Sequence, residues 1–559
     1  MIRKIALLVT VVWCITLTNG WAQQLEGSAP GAVQKRAEET REYFELQKKL
    51  KEKEKPSEEA VIEKEKAEEK TPPVDDRKII LIREIVTTPS EILSDDEIKT
   101  ITEPYEGSMA SLKDLFDVVK EINDLYKSRH YITARAILPP QKVENGTVKI
   151  KLIEAHLGLI SVEDNNYTRE SYFTRRISLQ SGDLLELKTL EDDLVYFNTT
   201  NDVQIKAELK PGKEFGTTDC IVRASEPRNY DVQVFADNAG RKDVGRERIG
   251  ILVRDNSLFG IRDPFTVSAT YADGTTGASA SYNVPINARG TRIGASYDYN
   301  QIKLRSGALE ELDISGNSYD ASVSLNHPLV ATPRFQLNGF LAAHKKKSVT
   351  ELAEVKFFDV KVITAEYGID FNRFDNYGFW YSLHKLTNGF DRWGGGDKTF
   401  FKYNLYLTRL VAFKNDVVML FRGSGQLSDS DQLPSTEQFQ LGGLSTVRGY
   451  SEGLLIGDEG YFTSAELHLP IPVPQDDYSI KFTNKVKGVI FVDHGAVFPY
   501  KAGESINHDD FLTSVGFGFI LNFSKYLTGR LNWGVPLGNR EKEGQNNIKF
   551  HFYLQSEFF

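Results

Sequence analysis

Charged side chains set among glycines are the residues here whose types and spacing could do chemistry, and that chemistry is ion pairing. Val447, Arg448, Gly449 and Tyr450 follow a glycine pair, Gly442-Gly443. Further along, Phe491, Asp493 and Gly495 share one parity of an extended segment, Phe491-Val-Asp-His-Gly495. Arginine stays charged at any physiological pH and grips a carboxylate through a two-pronged fork. The glycines serve tight turns or close backbone approach. The plainer alternative is that Arg448 is an ordinary solvated loop residue. No catalytic set competes with this pair. The histidines are scattered without zinc-ligand spacing. A Gly-x-Ser-x-Gly nucleophile turn is missing, and so is a phosphate-binding loop. We therefore expect no catalytic residue, no metal, no cofactor and no enzyme activity.

The elements that must position these residues are strands. From Tyr230 onward the hydrophobic period is close to two. Phe401, Tyr403, Leu405 and Leu407 alternate with Lys402, Asn404, Tyr406 and Thr408. Leu531, Trp533 and Val535 alternate with Arg530, Asn532 and Gly534, and Phe550, Phe552 and Leu554 with Lys549, His551, Tyr553 and Gln555. Segments of about ten residues suit tilted transmembrane strands, and roughly sixteen of them can be counted, an even number as bacterial barrels require. Stacked β-sandwiches would alternate too, but they would need linkers between them, and the strands here run on. A barrel of this size has an aqueous lumen unless something fills it. Closure satisfies every backbone donor and acceptor, so the barrel can sit in lipid.

Composition agrees. The chain has 559 residues, 40% of them hydrophobic, and a formal charge of −10. Its mean hydropathy of −0.36 excludes a multi-helix inner-membrane protein but not a barrel, whose lumen face is polar. The acidic balance argues against a nucleic-acid partner.

Residues 1–22 read as a signal peptide: Arg3 and Lys4, an apolar run Ile5–Leu17, then Gly20-Trp-Ala22. That run of about 13 residues falls short of the roughly 20 needed to span a bilayer. Bulky Trp13 before Cys14 argues against lipidation. After cleavage Cys220 is the sole cysteine, so an internal disulfide is impossible. Residues 23–77 form a charged helix and linker. Lys, Glu and Ala dominate 31–70, Pro56 interrupts, and Thr71-Pro-Pro-Val74 is stiff. Two readings stand: a solvated spacer, or a helix with a stripe of Val33, Ala37, Phe44 and Leu46 docking inside something wet and polar.

Two small domains follow, 78–155 and 156–227. In the first, Lys78–Val86 is strand-like, Ser94-Asp-Asp-Glu97 has capping-box spacing, and Leu112, Leu115, Phe116, Val119, Ile122 and Tyr126 keep helical spacing. Tyr131–Leu138 and Thr147–Ile153 then read as strands around Glu144-Asn-Gly146. The second repeats the order with Leu159–Val162, Arg169–Arg176, a helix faced by Leu187, Leu190, Leu194 and Phe197, then Val203–Leu209 and Asp219–Ala224. An order recurring at about 75 residues is a domain repeat.

These segments resemble the transporters of two-partner secretion, within the Omp85 superfamily. Tyr131–Pro139 with Asn145–Glu154 looks like the second half of a first POTRA domain. Leu190–Leu194, Asn198, Leu209–Gly212 and Gly216–Thr218 are similar to a second, except that Thr199-Thr-Asn-Asp202 replaces the family's usual Pro-Gly. Ala236-Asp-Asn238, Gly245-Arg246 and Asp255-Asn256 resemble the barrel's opening. Phe439-Gln-Leu-Gly-Gly443, Val447–Tyr450, Gly457-Asp458 and Glu466-Leu467 resemble the long sixth loop and its surroundings, near 426–459 between strands eleven and twelve. Phe491–Gly495 resembles a Phe-x-Asp-x-Gly strand element, and Phe559 a terminal aromatic one position off the usual register.

The resemblance implies a mainly β chain: a roughly 16-stranded transmembrane antiparallel β-barrel (228–559) preceded by two α+β POTRA domains and an N-terminal helix. It implies that Asp493 faces the lumen and meets Arg448 at the loop tip. The implied place is the outer membrane with POTRA domains in the periplasm. The implied function is export of a large unfolded exoprotein, filamentous haemagglutinin-like or haemolysin-like, captured by the POTRA domains. Outer-membrane lipid and, during biogenesis, the barrel assembly machinery are the other implied partners. The alternatives are an Omp85-type insertase, a passive channel, or a lipid-modifying enzyme fused to a barrel.

Overall fold

In chain order, helix α1 spans Pro30–Glu52 and strand β1 Ile62–Lys64. The computed structural model describes residues 27–52, 62–64, 79–131, 133–307, 310–391, 398–430, 433–471, 486–498, 511–523, 526–537 and 548–558. The signal segment 1–22 with Cys14, the interruption at Pro56, the Thr71–Val74 linker and Phe559 lie outside the described residues. The chain divides into two units: residues 58–227, and the N-terminal segment with residues 228–559.

The first small domain contains β2 (Ile79–Leu81), β3 (Glu84–Thr87), α2 (Asp95–Thr102), β4 (Met109–Ser111), α3 (Leu112–Ser128), β5 (Arg135–Ile137) and β6 (Thr147–Ile153). Both longer helices start at capping boxes, Ser94 with Glu97 and Ser111 with Asp114, which satisfy the orphan N–H groups of the first turn. Helix α3 buries Leu115, Val118, Val119, Ile122 and Tyr126. The Tyr126 hydroxyl donates to Glu154 at 2.8 Å. The strand-like stretch Lys78–Val86 breaks in two, because the Arg83 and Glu84 amides turn to the Gly146 carbonyl. Likewise, among the described residues of Tyr131–Leu138, only Arg135–Ile137 is strand, since the Tyr131 and Ala134 amides close turns on Tyr126 and Tyr131.

The second domain contains β7 (His156–Glu163), α4 (Glu170–Thr174), α5 (Leu187–Thr200), β8 (Gln204–Pro211) and β9 (Thr217–Ser225). Its sheet runs β1-β8-β9-β7, so the short β1 adds a parallel strand from the linker. Leu187, Leu190, Leu194 and Phe197 are buried as their spacing predicts. At the Thr199–Asp202 departure, Asn201 caps α5 by donating to the Phe197 carbonyl at 3.0 Å. Cys220 on β9 is 1% exposed, and burial pushes its thiol up to about 11. A buried neutral thiol is inert. Alkylation at pH 8 should therefore be negligible in the folded chain and complete in denaturant; stoichiometric labelling of folded protein would contradict this packing.

Sixteen strands then close antiparallel: β10 (Tyr230–Asp237), β11 (Arg248–Asp255), β12 (Phe265–Ala272), β13 (Thr275–Pro285), β14 (Arg292–Lys303), β15 (Ile314–Ala331), β16 (Phe335–Leu352), β17 (Val355–Asp375), β18 (Gly378–Asp391), β19 (Lys398–Ala412) and β20 (Val418–Ser428). A hairpin of β21 (Phe439–Leu441) and β22 (Leu455–Gly457) stands apart from the wall. The wall resumes with β23 (Glu459–Ile471), β24 (Val486–Phe498), β25 (Phe511–Asn522), β26 (Leu527–Pro536) and β27 (Lys549–Phe558). The seam pairs Val232 with Phe558 and Asp237 with Tyr553. Strands β15, β16 and β17, at 18, 18 and 21 residues, exceed the expected ten. Their hairpins continue past the bilayer because neighbouring strands keep satisfying the backbone there. The tight turn Ala353-Glu354 then adopts left-handed φ of 48° and 68°.

Candidate functional site

The segment between the eleventh barrel strand, β20, and the twelfth, β23, folds inward. Residues 433–450 are buried almost throughout. Phe439, Leu441, Val447, Tyr450 and Leu455 pack with Phe462, Val497 and Leu512 of the wall. Gly442 and Gly443 take φ of 107° and 105°, a region costly to any residue with a Cβ. They reverse the chain so that the Gly443 amide donates to the Val447 carbonyl at 3.1 Å. This turn presents Arg448 to the wall.

Strand register builds the receiving surface. Arg422 on β20 pairs with Ser464 on β23, Ser464 with Asp493 on β24, and Asp493 with Ser514 on β25. These four form one row on the lumen face. On β24, Phe491, Asp493 and Gly495 are buried while Ile490 and Val492 are exposed, which is the parity expected from the sequence.

Arg448 is 0% exposed. Its Nε donates to Asp493 Oδ2 at 2.8 Å and its Nη2 to Asp493 Oδ1 at 2.7 Å, a bidentate fork. Its backbone amide adds a third bond to Oδ2 at 3.1 Å. Ser464 Oγ accepts from Nη2 at 3.2 Å and donates to Asp493 Oδ1 at 2.8 Å. The guanidinium lies over the Phe491 ring, 3.4 Å from its centroid, a cation–π contact in a desolvated place. Arg448 is thus no solvated loop residue.

The site is larger than the pair read from sequence. Arg448 Nη1 lies 2.8 Å from Glu466 Oε1. Glu466 also receives Arg530 at 2.6 Å, His468 at 2.8 Å and, more loosely, Arg422 at 3.6 Å. Three arginines and two carboxylates therefore share one shielded network. The signal for Arg530 and Glu466 was present in the sequence: each is a charge on the parity opposite to the outward apolar positions, Leu531 and Trp533 for the first, Ala465 and Leu467 for the second.

Gly449 and Gly534 permit the close seat. A Cβ on Gly449 would meet Ser514 and Pro536, and one on Gly534 would meet the Arg448 carbonyl. His551 Nε2 lies 2.9 Å from that same carbonyl oxygen. Gly534→Val should unseat the tip at a cost of about 1–3 kcal/mol of overpacking. Export should fall while the barrel still migrates as a folded species on unheated gels; unchanged export would show that the tip tolerates displacement.

Helix α1 occupies the lumen beside this loop. Arg36 forks onto Glu452 at 2.6 and 2.9 Å and bonds the Gly442 carbonyl. Gln440 donates to the Ala32 carbonyl at 2.9 Å, and Gly31 to Ser348 Oγ at 3.0 Å. Phe44 stacks on Tyr553, with ring centroids 3.5 Å apart. Tyr43 lies under Arg422 at 4.6 Å and Arg530 at 5.9 Å. Within α1 the charged segment is therefore docked, because Arg36 and Arg41 find lumen partners in Glu452 and Asp298.

The family model of haemolysin secretion/activation proteins ShlB/FhaC/HecB matches residues 216–521, more than half the chain, and that of the ShlB-type POTRA domain matches residues 80–155. The heme/hemopexin transporter protein HuxB of Haemophilus influenzae (strain 86-028NP) is 26% identical over 483 residues, 82% of this chain and 83% of that one. The outer membrane transporter CdiB of Dickeya dadantii (strain 3937) is 23% identical over 482 residues, 82% of each chain. Among solved structures, CdiB from Escherichia coli superposes with a TM-score of 0.65 at 18% identity, over 95% of this chain and 99% of that one. The barrel lies in the bacterial outer membrane and the POTRA domains in the periplasm. With its sixteen-stranded wall, inward-folded sixth loop and POTRA-type domains, the chain belongs to the haemolysin secretion/activation family ShlB/FhaC/HecB and is an outer-membrane transporter.

Proposed function

We propose that this transporter exports one large partner protein in unfolded form. The carrying observation is the lumen: loop six, held by Arg448, and helix α1, held by Arg36, fill a channel otherwise wide enough for an extended chain. Val447, Arg448, Gly449 and Tyr450 act as the loop tip, and Phe491, Asp493 and Gly495 as its seat on the wall. The client docks on the POTRA domains by adding a strand to a sheet edge, recognised through backbone hydrogen bonds that an unfolded chain of any sequence can make. The domain limits serving this path are 78–155 and 156–227. The chemistry needed is binding and passage, with no catalytic residue, and folding of the client outside draws it through. Newly made barrel passes through the assembly machinery before insertion.

Quantitative proteomics of the medium, outer membrane and periplasm after deletion of the gene tests this. Loss of one or a few large proteins from the surface or medium, with other barrels unchanged, is the expected result. Broad depletion of outer-membrane proteins would replace the proposal with an insertase, and an unchanged proteome with a passive channel.

A further inference from the structure

Strands β16 and β17 carry a feature that transport through the lumen does not use. Inward-facing residues there are identified by their partners: Lys346 pairs with Glu437 of loop six at 2.8 Å, and Lys385 on β18 pairs with Glu366 at 3.1 Å. Lys345, Lys347 and Lys361 have the opposite parity and face the lipid. Lys347 is directly opposite Lys361 in the ladder, and Lys345 is opposite Ile363. Two like charges facing each other across a ladder repel and destabilise the pair. Lys361 has a partial counter-charge in Asp359 at 3.7 Å, which Lys356 shares at 3.4 Å. Among the described residues neither Lys345 nor Lys347 is paired to a carboxylate.

Their height in the membrane can be read from the strand. β10 leaves the periplasmic domains, so β17, the eighth strand of the antiparallel wall, runs the opposite way and enters from the outer side. Phe335 and Phe371 form an aromatic contact near the periplasmic turn. Lys361 stands ten residues (371 − 361) above Phe371, with Ile363, Ala365, Tyr367 and Ile369 between them on the outward parity. For a strand tilted about 40° that is about 25 Å, the usual height of the apolar band. The lysines thus sit at the outer edge of that band, in the headgroup layer. Beside them, Tyr319 is opposite Lys347, and Tyr297 stacks on Tyr319 with centroids 6.0 Å apart. On β11 and β20 the large side chains at outward positions of the outer half are Ile249, Ile251 and Leu427, exposed and apolar.

We propose that Lys345, Lys347 and Lys361, with the Tyr297–Tyr319 platform, bind the phosphate-bearing sugar headgroup of an outer-leaflet glycolipid. The phosphates neutralise the opposed lysines, and the tyrosine faces pack against the sugar rings. Such a lipid would be a fixed belt on this sector of the wall.

The test is native mass spectrometry of the purified full chain in detergent, titrated with bisphosphorylated lipid A and with the same lipid stripped of phosphate. The wild type should prefer the phosphorylated lipid. Lys345→Gln/Lys347→Gln/Lys361→Gln should bind it about a hundredfold more weakly, since each interfacial lysine contributes about fivefold. Lys414→Gln, in a periplasmic turn, should bind as wild type. Unheated gel migration reports folding; if the triple variant fails it, Lys347→Gln alone should show the fivefold loss. Equal wild-type affinity for both lipids would mean that only acyl chains are held, and undiminished binding by the lysine variants would place the site elsewhere. Equally tight binding of inorganic phosphate without lipid would identify a free anion as the ligand. Any of these three results overturns the proposal.

Discussion

Arg448→Ala is expected to abolish export while leaving the barrel inserted. The substitution removes all the side-chain bonds to Asp493 and the contact to Glu466 at once. Glu466 keeps Arg530 and His468, but Asp493 keeps only the Ser464 hydroxyl and the backbone amide of residue 448. A fully buried carboxylate stripped of its cation costs on the order of 3–5 kcal/mol. A merely exposed pair would cost ~1 kcal/mol or less. The 0% exposure of both side chains decides between these values in favour of the larger. The sixteen-strand hydrogen-bond ladder does not pass through Arg448, so insertion should survive. Arg448→Lys retains the charge without the fork and should recover part of the export. The measurement is secreted partner in the medium, normalised to heat-modifiable barrel in the outer membrane. Normal export by an inserted Arg448→Ala variant would remove the functional assignment of this residue.

Glu466→Gln should be comparably damaging, for the opposite electrostatic reason. Arg448, Arg422 and Arg530 converge on this carboxylate. Its neutralisation leaves three guanidinium groups facing Asp493 alone in a shielded site. The expected destabilisation of the seated loop is again about 3–5 kcal/mol. Because Tyr43 of α1 lies beneath Arg422 and Arg530, the helix should loosen with the loop. Protease added outside intact cells should cut within residues 429–458 in the variant and not in the wild type. A double-mutant cycle with Arg448→Ala adds a sharper criterion. Residues of one ion network couple by ~0.5–3 kcal/mol, and strict additivity would mean that the two groups act independently. Protection equal to wild type in Glu466→Gln would show that the fork to Asp493 alone holds the loop.

Much of this architecture is legible in the sequence. Lipid and lumen are different solvents on the two sides of one strand, so a period of two in Phe550, Phe552 and Leu554 against Lys549, His551 and Tyr553 already separates wall from channel. The α+β repeat was legible because capping boxes at Ser94 and helix faces such as Leu187–Phe197 are local signals. Arg448 and Asp493 stood out through short motifs.

The remainder depended on distances along the chain that no local pattern spans. Glu466, Ser464, Arg422 and Arg530 come from β23, β20 and β26, and they meet because the registers of those strands align their lumen faces. A one-residue slip in any register would turn those side chains toward lipid. The charged segment 31–70 could not be assigned to solvent or lumen from composition, because the same Lys and Glu content suits either. Only the tertiary structure supplies Glu452 for Arg36 and Asp298 for Arg41. The sequence by itself determined which faces of which segments are wet. Tertiary structure decided which wet side chains meet, since barrel closure and register are cooperative properties of all sixteen strands together.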